Sequence, residues 1–332
     1  SYVQDARRHS YSFTDTIPNQ SDHCRLINST SINSVSSGVD LENCRRSVIS
    51  GNFFKGSGYG NGGVAPPISQ LPPATQQHGI GIWGASWQSI ITNNIIERSA
   101  DSGIIAMQSI DAERNEVGSV IEPVGITISN NIITQATNQG IFLNAAQNQL
   151  NITQGWVVTG NTIKYTNVGI FVPYTTYGAT VTGNNVFNSV QGIWASVGAY
   201  ITITGNVVEE ISDRGYYLES VQFLTLTGNV ARLTSGNTTG SGLYVKNTTV
   251  LMTGIVISGN SFPKFNNTYA IEFYGLSTLD HGNFVLNATA CDLETDILFG
   301  GAGGSTGTFK TSSQLIVGQK VYKTGTGFLA IN

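Results

Sequence analysis

Apolar and polar residues alternate over short segments along most of the chain, and these segments return in a repeating phrase. The phrase runs apolar-x-apolar, Ser or Thr, Gly or Asn, Asn, x, apolar, and its last Asn recurs at intervals of 22 to 42 residues. Short alternating segments are typical of strands, and a period of about 20 to 50 residues is typical of solenoids and propellers. The recurring positions are Asn52, Asn94, Asn131, Asn161, Asn184, Asn206, Asn229 and Asn260.

A second phrase, Gly-apolar-x-apolar, follows the Asn phrase and fixes the register of the repeat. The residues one and three positions after its Gly are mostly apolar, as are those three before and two after the Asn. Because successive strand residues point to opposite faces, these columns predict the three inward walls of a β-solenoid with nine or ten coils of about 23 residues. The second phrase begins at Gly38, Gly81, Gly103, Gly140, Gly169, Gly192, Gly215, Gly242 and Ala270.

The Asn column has a structural interpretation. We expect each of these Asn residues to occupy a tight bend that needs a left-handed backbone, a conformation that Asn tolerates. Stacked side-chain amides would then hydrogen-bond one coil to the next.

The two phrases resemble the right-handed parallel β-helix of the pectate-lyase-like superfamily, in which an Asn ladder marks the second turn. The resemblance covers residues 28–285, and among the members the chain is most similar to bacteriophage tailspike polysaccharide depolymerases. It implies an all-β fold, a single-stranded right-handed parallel β-helix over residues 1–285. It also implies a homotrimer that acts on a bacterial surface polysaccharide, outside the cell or on the virion tail.

Residues 286–332 lose the repeat and contain a Gly-rich segment followed by further apolar stretches. We expect a C-terminal β cap here, because an open solenoid end exposes both strand edges and core. The resemblance implies that this region also helps to hold the trimer.

The column two residues after the Gly is predicted to point outward, yet six of its nine members are aromatic. Sugars stack their C–H faces on such rings, so this column and Lys246 are the predicted glycan-binding wall. Ordinary packing under loops or neighbouring subunits would explain the same rings. The column reads Asp40, Trp83, Ile105, Phe142, Phe171, Trp194, Tyr217, Tyr244 and Glu272.

Charge and composition exclude several other functions. Only 11% of residues are charged and the net charge of −4 is scattered, which argues against nucleic acid as a partner. No apolar run is long enough to insert into a membrane, and the start of the chain lacks a signal-peptide pattern, although the missing Met suggests a piece of a longer chain. The three cysteines are too scattered for a zinc site, and no motif indicates a metal or another cofactor.

Glycoside hydrolysis usually requires two carboxyl groups, and the repeat brings one set near the aromatic column. Glu219 follows Tyr217 on the outward face, Glu272 lies in that column two coils later, and Asp213 precedes Gly215. Asp213 has a competing interpretation, since Asp or Asn at this position in other coils is typical of turn capping.

A second acidic set lies beside the long insertions of residues 55–78, 108–124 and 145–155. It has an equally simple explanation as a solvated loop. Its members are Asp101, Asp111, Glu113 and Glu116, predicted to face His78, Trp83 and Trp87.

The sequence therefore predicts an endo-acting glycoside hydrolase of a capsule or O-antigen polysaccharide. Two alternatives stay open: a polysaccharide lyase, with Lys246, Arg214, Tyr217 and Tyr244 as base and charge neutraliser, and a glycan-binding shaft without catalysis. No Ser-His-Asp arrangement is supported, because the chain has four His residues and no nucleophile elbow.

Overall fold

The structure is a computed structural model. It describes residues 1–4, 10–14, 21–58, 77–84, 86–107, 123–144, 155–173, 177–235, 240–247, 252, 254–262, 269–275, 283–287, 296–300, 307–310, 320–323 and 329–331. Every regular element in these residues is a β-strand, and none is a helix. The chain divides into two compact units, Ser1–Ala179 and Thr180–Asn332, which we describe separately.

In the first unit, three sheets of parallel strands form the walls that the two phrases predict. Wall 1 carries the strands of the Gly phrase, wall 2 those before the ladder Asn, and wall 3 those after it. Wall 1 consists of β2 (Tyr11–Thr14), β6 (Val39–Glu42), β10 (Ile80–Trp83), β13 (Ile104–Met107), β16 (Gln139–Asn144) and β19 (Val168–Val172). Wall 2 consists of β4 (Arg25–Ile27), β8 (Val48–Ser50), β11 (Ile90–Thr92), β14 (Thr127–Ser129) and β17 (Trp156–Thr159). Wall 3 consists of β1 (Tyr2–Gln4), β5 (Thr30–Ile32), β9 (Phe53–Lys55), β12 (Ile95–Glu97), β15 (Ile132–Thr134) and β18 (Thr162–Lys164), and β3 (Ser21–Asp22) pairs with β7 (Cys44–Arg45).

The second unit has the same three walls. Wall 1 consists of β22 (Gln191–Ser196), β25 (Arg214–Glu219), β28 (Ser241–Asn247), β30 (Tyr269–Gly275), β32 (Asp296–Gly300) and β34 (Lys320–Lys323). Wall 2 consists of β20 (Ala179–Thr182), β23 (Ala199–Thr204), β26 (Gln222–Thr227), β29 (Ile255–Ser258), β31 (Asn283–Asn287), β33 (Gly307–Lys310) and β35 (Leu329–Ile331). Wall 3 consists of β21 (Asn185–Phe187), β24 (Val207–Ile211) and β27 (Val230–Leu233).

In the described part of each unit, equivalent strands of successive coils pair in parallel, which confirms the predicted parallel β-helix. The predicted inward columns form the core. Ile141 and Leu143 of β16, for example, are fully buried, as are Tyr216 and Leu218 of β25. Alternation along each strand therefore separates core residues from residues of the outer face.

Buried Asn amides connect the coils of the first unit, as the repeat predicts. The Nδ2 atoms of Asn52, Asn94 and Asn131 each donate a 2.9 Å hydrogen bond to Oδ1 of the next ladder Asn, ending at Asn161. The backbone N–H groups of the same residues donate to the same oxygens over 2.9 to 3.1 Å. Each amide also donates to a wall 2 carbonyl of an adjacent coil, as Asn94 Nδ2 does to Ile49 O at 2.9 Å. Every polar atom of the buried amide is thus used.

The second unit repeats this ladder through Asn184, Asn206, Asn229 and Asn260. These four side chains are at most 1% exposed. Their side-chain hydrogen bonds to the next Asn are 2.9 to 3.0 Å long.

The predicted left-handed backbone of the ladder Asn is wrong, because the residue before it makes the bend. Asn93 and Asn130 have φ values of 57° and 54°, and Gly160 and Gly205 have 66° and 61°. The Gly-or-Asn position of the phrase supplies the left-handed turn, and the following Asn keeps an ordinary backbone and supplies the amide. In the phrase, the Gly-or-Asn position thus makes the turn, and the Asn that follows it makes the hydrogen bonds between coils.

One register prediction is also wrong. Ile80 pairs with Val39 and Ile104, so Gly79 rather than Gly81 is equivalent to Gly38 and Gly103. The sequence Gly79-Ile80-Gly81-Ile82 fits the phrase twice, two residues apart, and alternation of period two cannot separate the two registers. Packing separates them, since a Cβ at Gly79 would lie 2.6 Å from the Gly103 carbonyl oxygen.

This shift removes Trp83 from the predicted outward column. Trp83 pairs with Glu42 and Met107, and Gly81 stands between Asp40 and Ile105. The column of the first unit is therefore less aromatic than predicted.

The described strands of the region predicted as a C-terminal cap extend walls 1 and 2 of the second unit. β32 and β34 continue wall 1, and β33 and β35 continue wall 2, all by parallel pairing. A domain boundary at residue 285 and a role in trimerisation stay predictions.

We expect Asn206→Ala to lower the free energy of unfolding by about 3 kcal/mol or more, because it leaves the buried donors of Asn184 without their acceptor. Asn185→Ala, at a partly exposed position of β21, is the matched control and should change stability little. Chemical denaturation followed by circular dichroism measures both. Equal destabilisation by the two variants would contradict a stabilising ladder.

Candidate functional site

The outer face of wall 1 in the second unit carries the first predicted set of carboxyl groups. Tyr217 pairs with Tyr244, which pairs with Glu272. One row further along, Glu219 pairs with Lys246. Since paired parallel strands lie about 4.8 Å apart, three successive coils bring these side chains onto one surface. We call this surface the β25 cluster: Gln191, Trp194, Ser196, Asp213, Arg214, Tyr217, Glu219, Tyr244, Lys246, Glu272 and Tyr274.

Aromatic rings stack on one another through the β25 cluster. The rings of Trp194 and Tyr217 are parallel with centroids 4.8 Å apart, and Tyr217 meets Tyr244 edge to face at 5.2 Å. Tyr244 in turn contacts Tyr274 at 6.4 Å. Tyr217 and Tyr244 are only 5% and 7% exposed, whereas Trp194 and Tyr274 are partly exposed. The two central rings form a packed floor, and the outer two offer surface to a ligand.

Arg214 lies over this floor. Its guanidinium carbon is 4.0 Å from the Tyr244 ring centroid and 5.0 Å from that of Tyr217. Its Nη1 atom is 3.1 Å from Asp213 Oδ2, the oxygen that also accepts a 3.1 Å hydrogen bond from Gln191 Nε2. Cation–π contacts and the ion pair together fix the guanidinium in one place.

Glu219 has partners on both carboxylate oxygens. Lys246 Nζ lies 3.5 Å from Oε1, and Ser196 Oγ donates to Oε2 over 3.4 Å. The side chains of Glu219 and Lys246 are 15% and 25% exposed, so the pair is shielded from most solvent.

Burial raises the pKa of Glu272 above its ordinary value. The positive charge of Arg214 lowers this pKa in part, and the negative charge of Asp213 raises it. Asp213, Arg214 and Glu272 are therefore electrostatically coupled, and Glu272 holds its proton to higher pH than a solvated Glu.

Burial also raises the pKa values of the two central phenols. It raises the pKa of Tyr244 to about 12, with a further contribution from the charge of Glu272. The pKa of Tyr217 rises further, through burial and then through Glu219. Both phenols therefore stay protonated at neutral pH.

The first unit holds a separate polar group at the start of β10. His78 is fully buried, with Nδ1 3.4 Å from Asp101 Oδ2, and Asn138 Nδ2 donates to Asp101 Oδ1. Trp83 Nε1 reaches across Gly81 and donates to Asp40 Oδ1 at 3.2 Å. Phe142 and Phe171 stack at 5.4 Å in the predicted column.

The structure thus brings Asp213, Glu219 and Glu272 into one cluster and places Asp101 beside His78. Asp111, Glu113 and Glu116 lie outside the described residues. Sequence reasoning missed Gln191 and Tyr274, which the strand register places at the cluster, and it considered Arg214 only for a lyase.

The described part of the chain carries no sign of two other classes of site. No group of three His, Cys, Asp or Glu side chains there is arranged to hold a metal ion. No helix there is long and apolar enough to cross a membrane.

Comparisons with known proteins identify the fold. The family described as "Right handed beta helix region" matches residues 17–186, 78–250 and 120–296. No curated protein sequence gives a significant match.

Three solved structures are similar over most of the chain. A double mutant of the tailspike of E. coli bacteriophage HK620, in complex with pentasaccharide, has 11% identity and a TM-score of 0.57 over 93% of this chain and 62% of its own. The periplasmic alginate epimerase AlgG has 12% identity and a TM-score of 0.60, over 97% and 78%. The tailspike gp61 of Pseudomonas phage phi297 has 10% identity and a TM-score of 0.50, over 94% and 50%. The chain spans less than two thirds of the length of these tailspikes, and at such identities the likeness shows the fold alone.

We expect Glu272→Gln to stabilise the protein increasingly as the pH rises above the ordinary pKa of Glu. The raised pKa of Glu272 means that the folded protein favours the protonated side chain. Protonated Glu272 therefore stabilises the fold at low pH, and this stabilisation is lost as the pH rises through the pKa of Glu272 in the folded protein. Unfolding midpoints of the variant and the wild type from pH 4 to pH 8 measure this difference. A Glu272→Gln variant that is less stable than the wild type at pH 7 would contradict a raised pKa for Glu272.

Proposed function

We propose that the chain, which belongs to the right-handed β-helix family, hydrolyses glycosidic bonds within a bacterial surface polysaccharide at the β25 cluster. One observation carries the proposal: the Asp213 carboxylate is paired with Arg214 at 3.1 Å, and a second carboxyl group on the same surface, Glu272, has a pKa that burial raises. Hydrolysis of a glycosidic bond requires such a division between an acid and a base or nucleophile.

Glu272 suits the general acid, since burial raises its pKa and so favours the protonated form that donates to the leaving oxygen. Asp213 suits the base that activates water. Both of its hydrogen bonds from described residues reach Oδ2, which leaves Oδ1 for a water molecule. Arg214 holds the carboxylate and limits the pKa of Glu272.

Glu219, which the sequence also predicts to be catalytic, has a different role in this proposal. Its two oxygens already hold Lys246 and Ser196, so it positions the side chains of the cluster. Trp194 and Tyr274 are the partly exposed rings on which a sugar stacks.

The comparisons support a carbohydrate ligand, but they do not distinguish hydrolysis from another reaction on that ligand. The HK620 tailspike is described with a bound pentasaccharide, and the name of AlgG describes an epimerase of alginate. A capsule or O-antigen substrate, a homotrimer and a location on a virion tail or outside the cell are proposals that extend the tailspike likeness.

The lyase alternative is less well supported by the cluster. β-Elimination needs an unprotonated base, and burial raises the pKa of both Tyr217 and Tyr244 far above neutrality. Lys246 is held by Glu219.

Incubation with a panel of bacterial capsule and O-antigen polysaccharides tests the proposal. We expect saturated oligosaccharides, detected as new reducing ends without near-ultraviolet absorbance. Unsaturated ends would assign the protein to the lyases, and binding of a polymer whose length does not change would make it a binding shaft.

We expect Glu272→Gln and Asp213→Asn each to lower turnover on the cleaved polymer about a hundredfold or more, because each removes an acid or a base. Glu210→Gln, at an exposed position of β24, is the control and should retain full turnover. Rates from reducing-end release, with folding checked by circular dichroism, measure the effect. Turnover within tenfold of wild type for Glu272→Gln would remove Glu272 from the mechanism.

A further inference from the structure

Each basic side chain of the β25 cluster is paired with a carboxylate of the same cluster. Arg214 is paired with Asp213 at 3.1 Å and Lys246 with Glu219 at 3.5 Å. Glu272 is a third carboxyl group on the same surface. On the described strands β22, β25, β28 and β30, these two are the basic side chains, and each already has a carboxylate partner.

A sugar carboxylate would bind poorly on such a surface. To reach the Arg214 guanidinium it must compete with Asp213, which already neutralises this charge through Nη1, and it would then lie beside carboxyl groups that carry the same sign of charge when ionised. Like charges brought together in a shielded site are strongly unfavourable. The cation–π contacts with Tyr217 and Tyr244 further restrict the guanidinium from turning toward another anion.

An uncharged sugar meets complementary groups at the same place. Asp213 Oδ1 can accept a hydrogen bond from a hydroxyl group, the partly exposed phenol of Tyr274 can donate one, and the rings of Trp194 and Tyr274 offer flat surface. Hydroxyl-rich rings need this mixture of acceptors, donors and flat apolar surface.

We propose that the β25 cluster selects a glycan segment made of neutral sugars and excludes sugars that carry a carboxylate. This inference rests on the proposed function for the location of the site. It has a chemical consequence, because elimination and epimerisation next to a carboxylate both require a uronate. A site that excludes uronates therefore catalyses neither of these two reactions.

Two defined probes test the selection: trigalacturonate, and the same trisaccharide with its carboxyl groups reduced to hydroxymethyl groups. Binding to the full chain is measured by calorimetry for the wild type, Arg214→Gln and Asp213→Asn, with Glu210→Gln as the control. We expect Arg214→Gln to leave trigalacturonate affinity unchanged. We expect Asp213→Asn, which frees the guanidinium, to raise that affinity about tenfold or more, as a charge-assisted bidentate contact should.

Two results would overturn the inference. One is wild-type binding of trigalacturonate that Arg214→Gln or Lys246→Gln weakens tenfold, since a cation of the cluster would then already serve a sugar carboxylate. The other is a folded Asp213→Asn variant without any gain for trigalacturonate.

Failure of the inference and failure of the proposed function give different results. If both binding expectations are met but no polymer is cut, the proposed catalysis is wrong and the selection of neutral sugars stands. If an acidic polysaccharide is cut and its carboxyl-reduced form is not, the proposed catalysis stands and the selection of neutral sugars is wrong.

Discussion

Within each described unit, buried Asn amides hold successive coils together, from Asn52 to Asn161 in the first and from Asn184 to Asn260 in the second. The Asn ladder uses every donor and acceptor of its side chains, so each rung fixes the backbone of the turn below and above it. A shift of one coil relative to the next would leave several buried polar groups without partners, at a cost of about 1 to 3 kcal/mol each. Register along the three walls, and hence which side chains meet on the outer face, depends on this ladder.

Glycine in wall 1 makes the second contribution to register. A Cβ at Gly140 would lie 2.6 Å from the Gly169 carbonyl oxygen, and at Gly215 a Cβ would lie 2.7 Å from that of Gly242. Only glycine permits this close stacking. With coils fixed in this way, residues 22 to 31 positions apart, such as Tyr217, Tyr244 and Glu272, become neighbours. A rigid array of this kind can hold Arg214, Asp213 and Glu272 in a fixed arrangement before any ligand arrives.

The repeat made most of the fold predictable, and its failures have physical causes. Inward columns and the ladder follow from period and residue type alone. The register of Trp83 does not, because two Gly-Ile pairs fit the same alternation and only the packing of Gly79 against Gly103 separates them. The ion pairs of Arg214 and Lys246 depend on side-chain rotamers, which a column of residues does not specify. The partial cover of the aromatic column likewise arises from stacking between coils. The acidic set at Asp111 and Glu113 lies outside the described residues and stays a prediction.

The structure of the Glu272→Gln variant with an oligosaccharide cut from a polysaccharide substrate tests the central claim most directly. We expect sugar rings along β22, β25 and β28, in contact with Trp194, with a glycosidic oxygen beside residue 272 and a water molecule at Asp213 Oδ1. Oligosaccharide bound instead at the first unit, beside Trp83 and Asp101, would contradict it.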